Sequence, residues 1–103
     1  MGRTVSVVIP VHDAADHLKQ CLEALRASDL MPAECIVVDD GSTDDSAGVA
    51  RRFGAQVLST NGRFGPSRAR NLGVQSASGD VILFLDADVC VHEDTVSKIA
   101  AEF

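Results

Sequence analysis

The chain has 103 residues, 46% hydrophobic and 23% charged. That length allows one domain, and that balance excludes disordered, collagenous and low-complexity classes. Fifteen acids against nine bases give a net charge of −6, a poor match to nucleic acid or an anionic membrane; the four aromatic residues, all Phe, offer no stacking platform for single strands.

Cys21, Cys35 and Cys90 are scattered, with no CxxC pair and no zinc spacing. A sparse odd set fits a reducing, cytoplasmic compartment better than a disulfide framework. The longest apolar stretches, Val5 to Val11 and Val81 to Leu85, are too short to cross a bilayer. No signal peptide is expected, because the apolar run begins at once and holds Pro10. Membrane association is therefore expected only through sequence outside this chain. Met1-Gly2 with Ser6 fits the loose myristoylation pattern, but Ser6 falls in a run that reads as a buried strand.

In chain order, Val5-Ser6-Val7-Val8-Ile9 is β-branched and nearly all apolar, which predicts a strand covered on both faces and ended by Pro10. Asp13 stands where an N-cap belongs, and Leu18, Cys21, Leu22 and Leu25 predict an amphipathic helix over 14–27. Ile36-Val37-Val38 is a second buried strand ending at Asp39-Asp40-Gly41. Ser42 and Asp45 resemble a capping pair for a helix over 43–53, with Val49, Ala50 and Phe53 inward. A short third strand covers 56–59, and residues 60–65 read as a loop. Pro66 suits the first turn of a helix running to Ala77. Gly79-Asp80 is a turn, Val81 to Leu85 a fourth buried strand, and Val96, Ile99, Ala100 and Phe103 start a last helical stripe.

Strand and helix alternate four times, with no internal repeat and no linker. This predicts an α/β fold: a three-layer sandwich around a mainly parallel sheet with right-handed crossovers. Four short strands make a small open sheet, and the last stripe stops at Phe103 without a cap. The expectation is a single domain over 1–103 that is the front part of a larger one.

In open parallel sheets, ligands bind beyond the carboxyl ends of the strands, where the strand order reverses. Three clusters fall at such ends: Pro10-Val11-His12-Asp13, Asp39-Asp40-Gly41-Ser42 and Asp86-Ala87-Asp88. Grouped carboxylates repel one another and need protons, a cation or hydrogen-bond donors. Asp86 and Asp88, two apart after an apolar strand, share one face and can converge on a hard cation such as Mg²⁺ or Mn²⁺; alternatively they cap the next helix or are merely solvated. Asp39 and Asp40 are either turn formers, one of them capping the following helix, or acceptors for a ligand's N–H groups. Arg68 and Arg70 lie near a Gly-Pro helix start, where a guanidinium fork matches phosphate geometry or simply faces solvent. Neither GxGxxG after the first strand nor GxxxxGK[ST] is present, which argues against a dinucleotide fingerprint and a P-loop.

Four ordered stretches together resemble the front half of a family 2 glycosyltransferase with the GT-A fold. They are Val5 to His12, Ile36 to Asp44, Gly65 to Gly73, and Gly79 to Asp88. The resemblance implies transfer of a sugar from a nucleotide-diphosphate donor, a UDP-sugar being the first expectation, to an unknown acceptor. By position it implies that Pro10, Val11 and His12 line the base and ribose pocket and that Asp40, with Asp39, accepts a hydrogen bond from the base. It also implies that Arg70 lies near the phosphates and that Asp86-Ala87-Asp88 is the DxD motif, which holds the ribose and a divalent cation (Mn or Mg), with Asp88 the direct ligand. Asp13 stands where the family commonly has Asn. The family's catalytic base comes from a later segment, so no catalytic residue is assigned here and the chain alone is expected to be inactive.

Two other readings compete. One is a non-catalytic nucleotide-binding or assembly module. The other is a haloacid-dehalogenase-type phosphatase with Asp86 as nucleophile, disfavoured because Cys90 stands where that pattern wants Thr or Val and the motif comes late. An exposed edge on the fourth strand would invite pairing with a second copy, giving a homodimer. The central expectation is that acidic groups at two neighbouring strand ends jointly hold one activated sugar.

Overall fold

The computed structural model describes residues 3–103; the Met1-Gly2 pair of the myristoylation pattern lies outside them. Eight elements alternate: β1 (Val5–Val11), α1 (Ala15–Arg26), β2 (Glu34–Asp39), α2 (Ser46–Arg52), β3 (Gln56–Ser59), α3 (Pro66–Ser76), β4 (Val81–Phe84) and α4 (Thr95–Glu102). All strand pairs are parallel, in the order β3-β2-β1-β4.

The side-chain alternation of β1 builds two cores. Val5, Val7, Ile9 and Val11 face one side and pack with Leu18, Cys21, Leu22 and Leu25 of α1, Val49 and Ala50 of α2, and Val96 and Ala100 of α4. Val8 faces the other side with Ile36, Val38 and Ala69 of α3. The expected three layers are therefore present, with α3 alone opposite the other helices. Gly73 lets α3 come close: a Cβ there would collide with the Val8 side chain.

Each of the two steps from β1 to β3 moves one strand over in the same direction; the chain then passes back across to place β4 on the far side of β1. The strand order reverses between β1 and β4, so the loops after those two strands flank the switch point. Asp40 follows β2, on the other flank of β1. The two acidic ends are thus not neighbours: the loop after β1 stands between them.

Four sequence expectations need correction. Asp13 does not cap α1. Its backbone turns to φ +48°, the helix starts at Ala15, and the Ala15 N–H donates to the Asp44 carboxylate instead. Nor do Ser42 and Asp45 cap α2, which starts only at Ser46; Asp44 accepts the Ser46 N–H and hydroxyl. For α1 the partner that wins comes from 29 residues away and is invisible to local spacing; for α2 it is the neighbouring acid, two residues before Ser46. Finally, β4 is an edge strand rather than a buried one. Phe84 is 43% exposed, because β4 has a neighbour on one side only. Phe103, expected inward, is 65% exposed beyond the end of α4.

Candidate functional site

The three strand-end clusters lie at one end of the sheet. Asp40 is buried there, with 4% exposure, and its carboxylate organises the loop after β3. Oδ1 accepts the Thr60 hydroxyl at 2.9 Å and the Phe64 N–H at 2.8 Å; Oδ2 accepts the Gly65 N–H at 2.9 Å. Burial pushes its pKa up, but these bonds and the nearby His12 outweigh that and hold the carboxyl below its usual range. It is an ionised group in a wall, already committed to three donors. The two loops touch closely: a Cβ on Gly41, whose φ is +72°, would sit 2.9 Å from the Gly62 carbonyl. Asp39 accepts the Ser42 N–H at 3.1 Å, closing a turn rather than capping a helix.

Each nitrogen of the His12 ring faces an oxygen acceptor. Nδ1 donates to the Asp40 carbonyl oxygen at 2.8 Å, and Nε2 lies 3.2 Å from the Asp13 carboxylate. With Pro10, Val11, Asp40, Arg63 and Pro66, it lines an open cleft of about 200 Å³. Complete small-ligand pockets are larger, about 300–1,000 Å³, so this cleft takes part of a ligand. Arg63 and Pro66 were not foreseen as site residues. The residue pattern marks 60–65 only as a loop; nothing local says that Arg63 folds back beside β1.

Across β1, Leu85 and Ala87 point inward, with 7% and 8% exposure, while Asp86 and Asp88 are exposed between and beyond them. The alternation presents both carboxylates to solvent. They do not cap a helix, since α4 begins only at Thr95. Arg70 of α3 reaches Asp86 at 3.5 Å, a long exposed pair worth about 0–1 kcal/mol and easily exchanged for a ligand. Arg68 points elsewhere, its guanidinium 4.2 Å over the Phe64 ring. Among the described residues no three His, Cys, Asp or Glu side chains are grouped to hold an ion. Two exposed carboxylates nevertheless suit Mg²⁺ or Mn²⁺, whose remaining positions water and substrate phosphates fill.

Cys21 and Cys35 are pushed up by burial, to about 11 and about 12, so neither thiol is a ready nucleophile.

Comparison with known proteins bears on the fold and the family. Glycosyltransferase GlyG of Streptococcus pneumoniae serotype 4 is 32% identical over 104 residues, an alignment covering 96% of this chain and 35% of that protein. The structure of Staphylococcus aureus TarS 1–349 in complex with UDP-GlcNAc matches with a TM-score of 0.88 at 27% identity, over 94% of this chain and 30% of that one. The mannosyltransferase PcManGT from Pyrobaculum calidifontis, in complex with GDP-Man and Mn²⁺, matches with a TM-score of 0.86 at 25% identity, over 94% and 31%. The chain spans about a third of the length of these relatives. The parallel sheet and its helices match the GT-A architecture of such structures. The family profile described as Glycosyl transferase family 2 matches residues 6–103, and the chain belongs to that family.

Proposed function

We propose that this chain supplies the donor- and metal-binding part of a glycosyltransferase, which moves a sugar from a nucleoside diphosphate to an acceptor. One observation carries the reading: the cleft of Pro10, Val11, His12 and Asp40 and the exposed Asp86-Ala87-Asp88 turn with Arg70 lie on the two flanks of β1, at the same end of the sheet. Two strand spacings separate β2 from β4, about 10 Å. That is the scale of a nucleoside joined to its diphosphate.

In this reading Pro10, Val11 and His12 line the base and ribose pocket. Asp40 stiffens its wall, with Asp39 closing the turn beside it. The Asp40 Oδ2 carries one hydrogen bond, from Gly65, and has a lone pair left for a base N–H. Arg70 exchanges Asp86 for a donor phosphate, and Asp88, with Asp86, holds a divalent cation, Mn²⁺ or Mg²⁺. Ala87 packs inward and keeps the two acids on one side. When bound, such a cation stabilises the negative charge on the departing phosphate as a Lewis acid, without proton transfer. The UDP-GlcNAc and the GDP-Man with Mn²⁺ in the matching structures support the donor class and the metal.

Titration calorimetry with UDP and UDP-sugars, with and without Mn²⁺, tests the reading. Micromolar to millimolar binding that needs Mn²⁺ is expected. A folded chain that binds no nucleoside diphosphate overturns it. Asp88→Ala removes the metal dependence, because one charge-assisted ligand is lost.

Two lesser expectations belong with it. The open edge of β4, with exposed Phe84, supports pairing with a second copy; sedimentation showing a monomer at high concentration excludes this. Three free cysteines support a reducing, cytoplasmic setting. No helix among the described residues is long and apolar enough to cross a membrane.

A further inference from the structure

Asp13 joins two of the three strand-end segments that line the cleft, those after β1 and β2. Its Oδ1 accepts the Thr43 N–H at 2.6 Å, the Thr43 hydroxyl at 3.2 Å and the Asp44 N–H at 3.4 Å. Its Oδ2 faces His12 Nε2 at 3.2 Å. Its own N–H donates to the Ser42 hydroxyl at 3.0 Å. The clamp is reciprocal, since Asp44, from the second loop, accepts the Ala15 N–H of the first at 3.1 Å. To reach these partners Asp13 adopts φ +48°, a conformation that costs a residue with a Cβ and persists only where its surroundings enforce it.

The consequence for the cleft runs through His12. The Asp40 carbonyl fixes its Nδ1, and the Asp13 carboxylate faces its other nitrogen. The carboxylate accepts from Nε2 when that nitrogen too carries a proton; the ring is then held at both nitrogens, and its face is a fixed part of the cleft wall beside Val11 and Asp40. Without the Asp13 side chain, one end of the ring is free and the two loops keep only the Asp13 N–H bond to Ser42, the Ala15 N–H bond to Asp44 and the His12 bond to the Asp40 carbonyl. Three hydrogen-bond donors of Thr43 and Asp44 also lose their acceptor.

We propose that Asp13 is a positioning residue of the donor site: one carboxylate oxygen ties the loop after β1 to the loop after β2, while the other holds the His12 ring against the cleft. The assignment rests on the cleft being a nucleotide site, but the clamp itself can be read without any ligand.

Three variants separate the contributions. Asp13→Asn keeps an oxygen for Thr43 and Asp44; its amide N–H donates to Nε2 of the neutral ring, where the Asp13 carboxylate instead accepts from a protonated Nε2. Asp13→Ala removes both contacts. Asp13→Gly removes both and also relieves the positive φ. In the free protein, nuclear magnetic resonance reads the His12 Nδ1–H and the exchange of the Thr43 and Asp44 amides. The wild type and Asp13→Asn are expected to show a protected Nδ1–H; in the Ala and Gly variants it is lost to exchange, and the two amides exchange at least about tenfold faster. Calorimetry with UDP and Mn²⁺ is expected to give affinity within about threefold of wild type for Asn and about tenfold weaker for Ala and Gly.

A Gly variant that binds UDP like wild type would show that the backbone turn, not the carboxylate, sets the cleft, and would overturn the proposal. An unchanged His12 resonance in the Ala and Gly variants overturns it as well. If the wild type binds no UDP while the resonances respond as described, the nucleotide reading fails and the clamp stands.

Discussion

The two ends of the sheet both carry carboxylates, and they use them differently. At the amino end, Asp80 accepts the Thr4 N–H and hydroxyl, each at 3.0 Å, and Glu34 accepts the Ser6 hydroxyl at 2.7 Å and the Ser78 N–H at 2.5 Å. Ser6 is fully buried and in turn accepts the Gly79 N–H at 2.7 Å. The Ser6–Glu34 bond joins β1 to β2, and the others fasten the turn before β4 to β1, to β2 or to Thr4 just ahead of β1. At the carboxyl end, Asp13, Asp39, Asp40 and Asp44 are tied to loop donors in the same manner, yet Asp86 and Asp88 stay exposed, with one long contact to Arg70. An acid at a strand end is therefore no mark of function in itself. What separates the ends is acid left without internal donors beside a cleft.

Four measurements break or sharpen this contrast. The largest effect is expected at Asp40. Asp40→Ala removes a buried acceptor and strands the Phe64 and Gly65 N–H groups, while the Thr60 hydroxyl keeps the Gly62 carbonyl, at a cost of about 3 kcal/mol in stability; chemical denaturation checks it, and UDP binding falls with it. Next comes the amino end, where Ser6→Ala cuts the link between Glu34 and Gly79 and lowers stability by about 1–2 kcal/mol. At temperatures where the variant is folded, its Mn²⁺-dependent UDP affinity should equal wild type. A loss of affinity there would erase the division between the ends.

The third measurement is the pH dependence of the melting temperature. Glu34, Asp13, Asp40 and Asp44 all have folded-state pKa values held below the usual range. The largest influence is the Ser78 N–H bond for Glu34, the Thr43 N–H bond for Asp13 and the Ser46 hydroxyl bond for Asp44. For Asp40, burial opposes the bonds that prevail. A depressed pKa means that the stabilisation is present above the unfolded value, about 4, and is lost as pH falls through the lower folded values. The melting temperature should hold above about pH 5 and drop steeply below pH 4. A flat profile would mean that the carboxylates are not paired as described. The smallest effect on stability is expected from Asp88→Ala, within about 0.5 kcal/mol, although the metal dependence of nucleotide binding disappears. A variant that is destabilised as much as Asp40→Ala would make Asp88 a structural acid like those at the other end.

The residues that the sequence singled out are mostly those that the fold gathers. Val5 to Ile9 could be read as a two-sided strand because each of its side chains is apolar or small, and β1 does lie between two neighbours with helices on both faces. The same reasoning failed for β4, whose residues look equally apolar. Composition reports that a strand is hydrophobic, not how many neighbours it has. Asp13 and Ser42 looked like helix caps because their spacing to the next helical stripe is right. The structure gives them to each other's loops, across 29 residues of sequence. Arg63 joined the cleft unforeseen for the same reason: the Asp40 bonds to Phe64 and Gly65 draw its loop back over the sheet.

The alternation of apolar strands and amphipathic stripes, set by periods of two and 3.6 residues, was enough to determine the element order, the parallel sheet and the end of it where chemistry would collect. The tertiary structure alone decided which acids are free. A carboxylate takes whatever donors come within about 3 Å, and those donors are brought by loops distant in sequence, so commitment at Asp40 and availability at Asp88 are properties of the assembled sheet end rather than of either residue's neighbourhood in the chain.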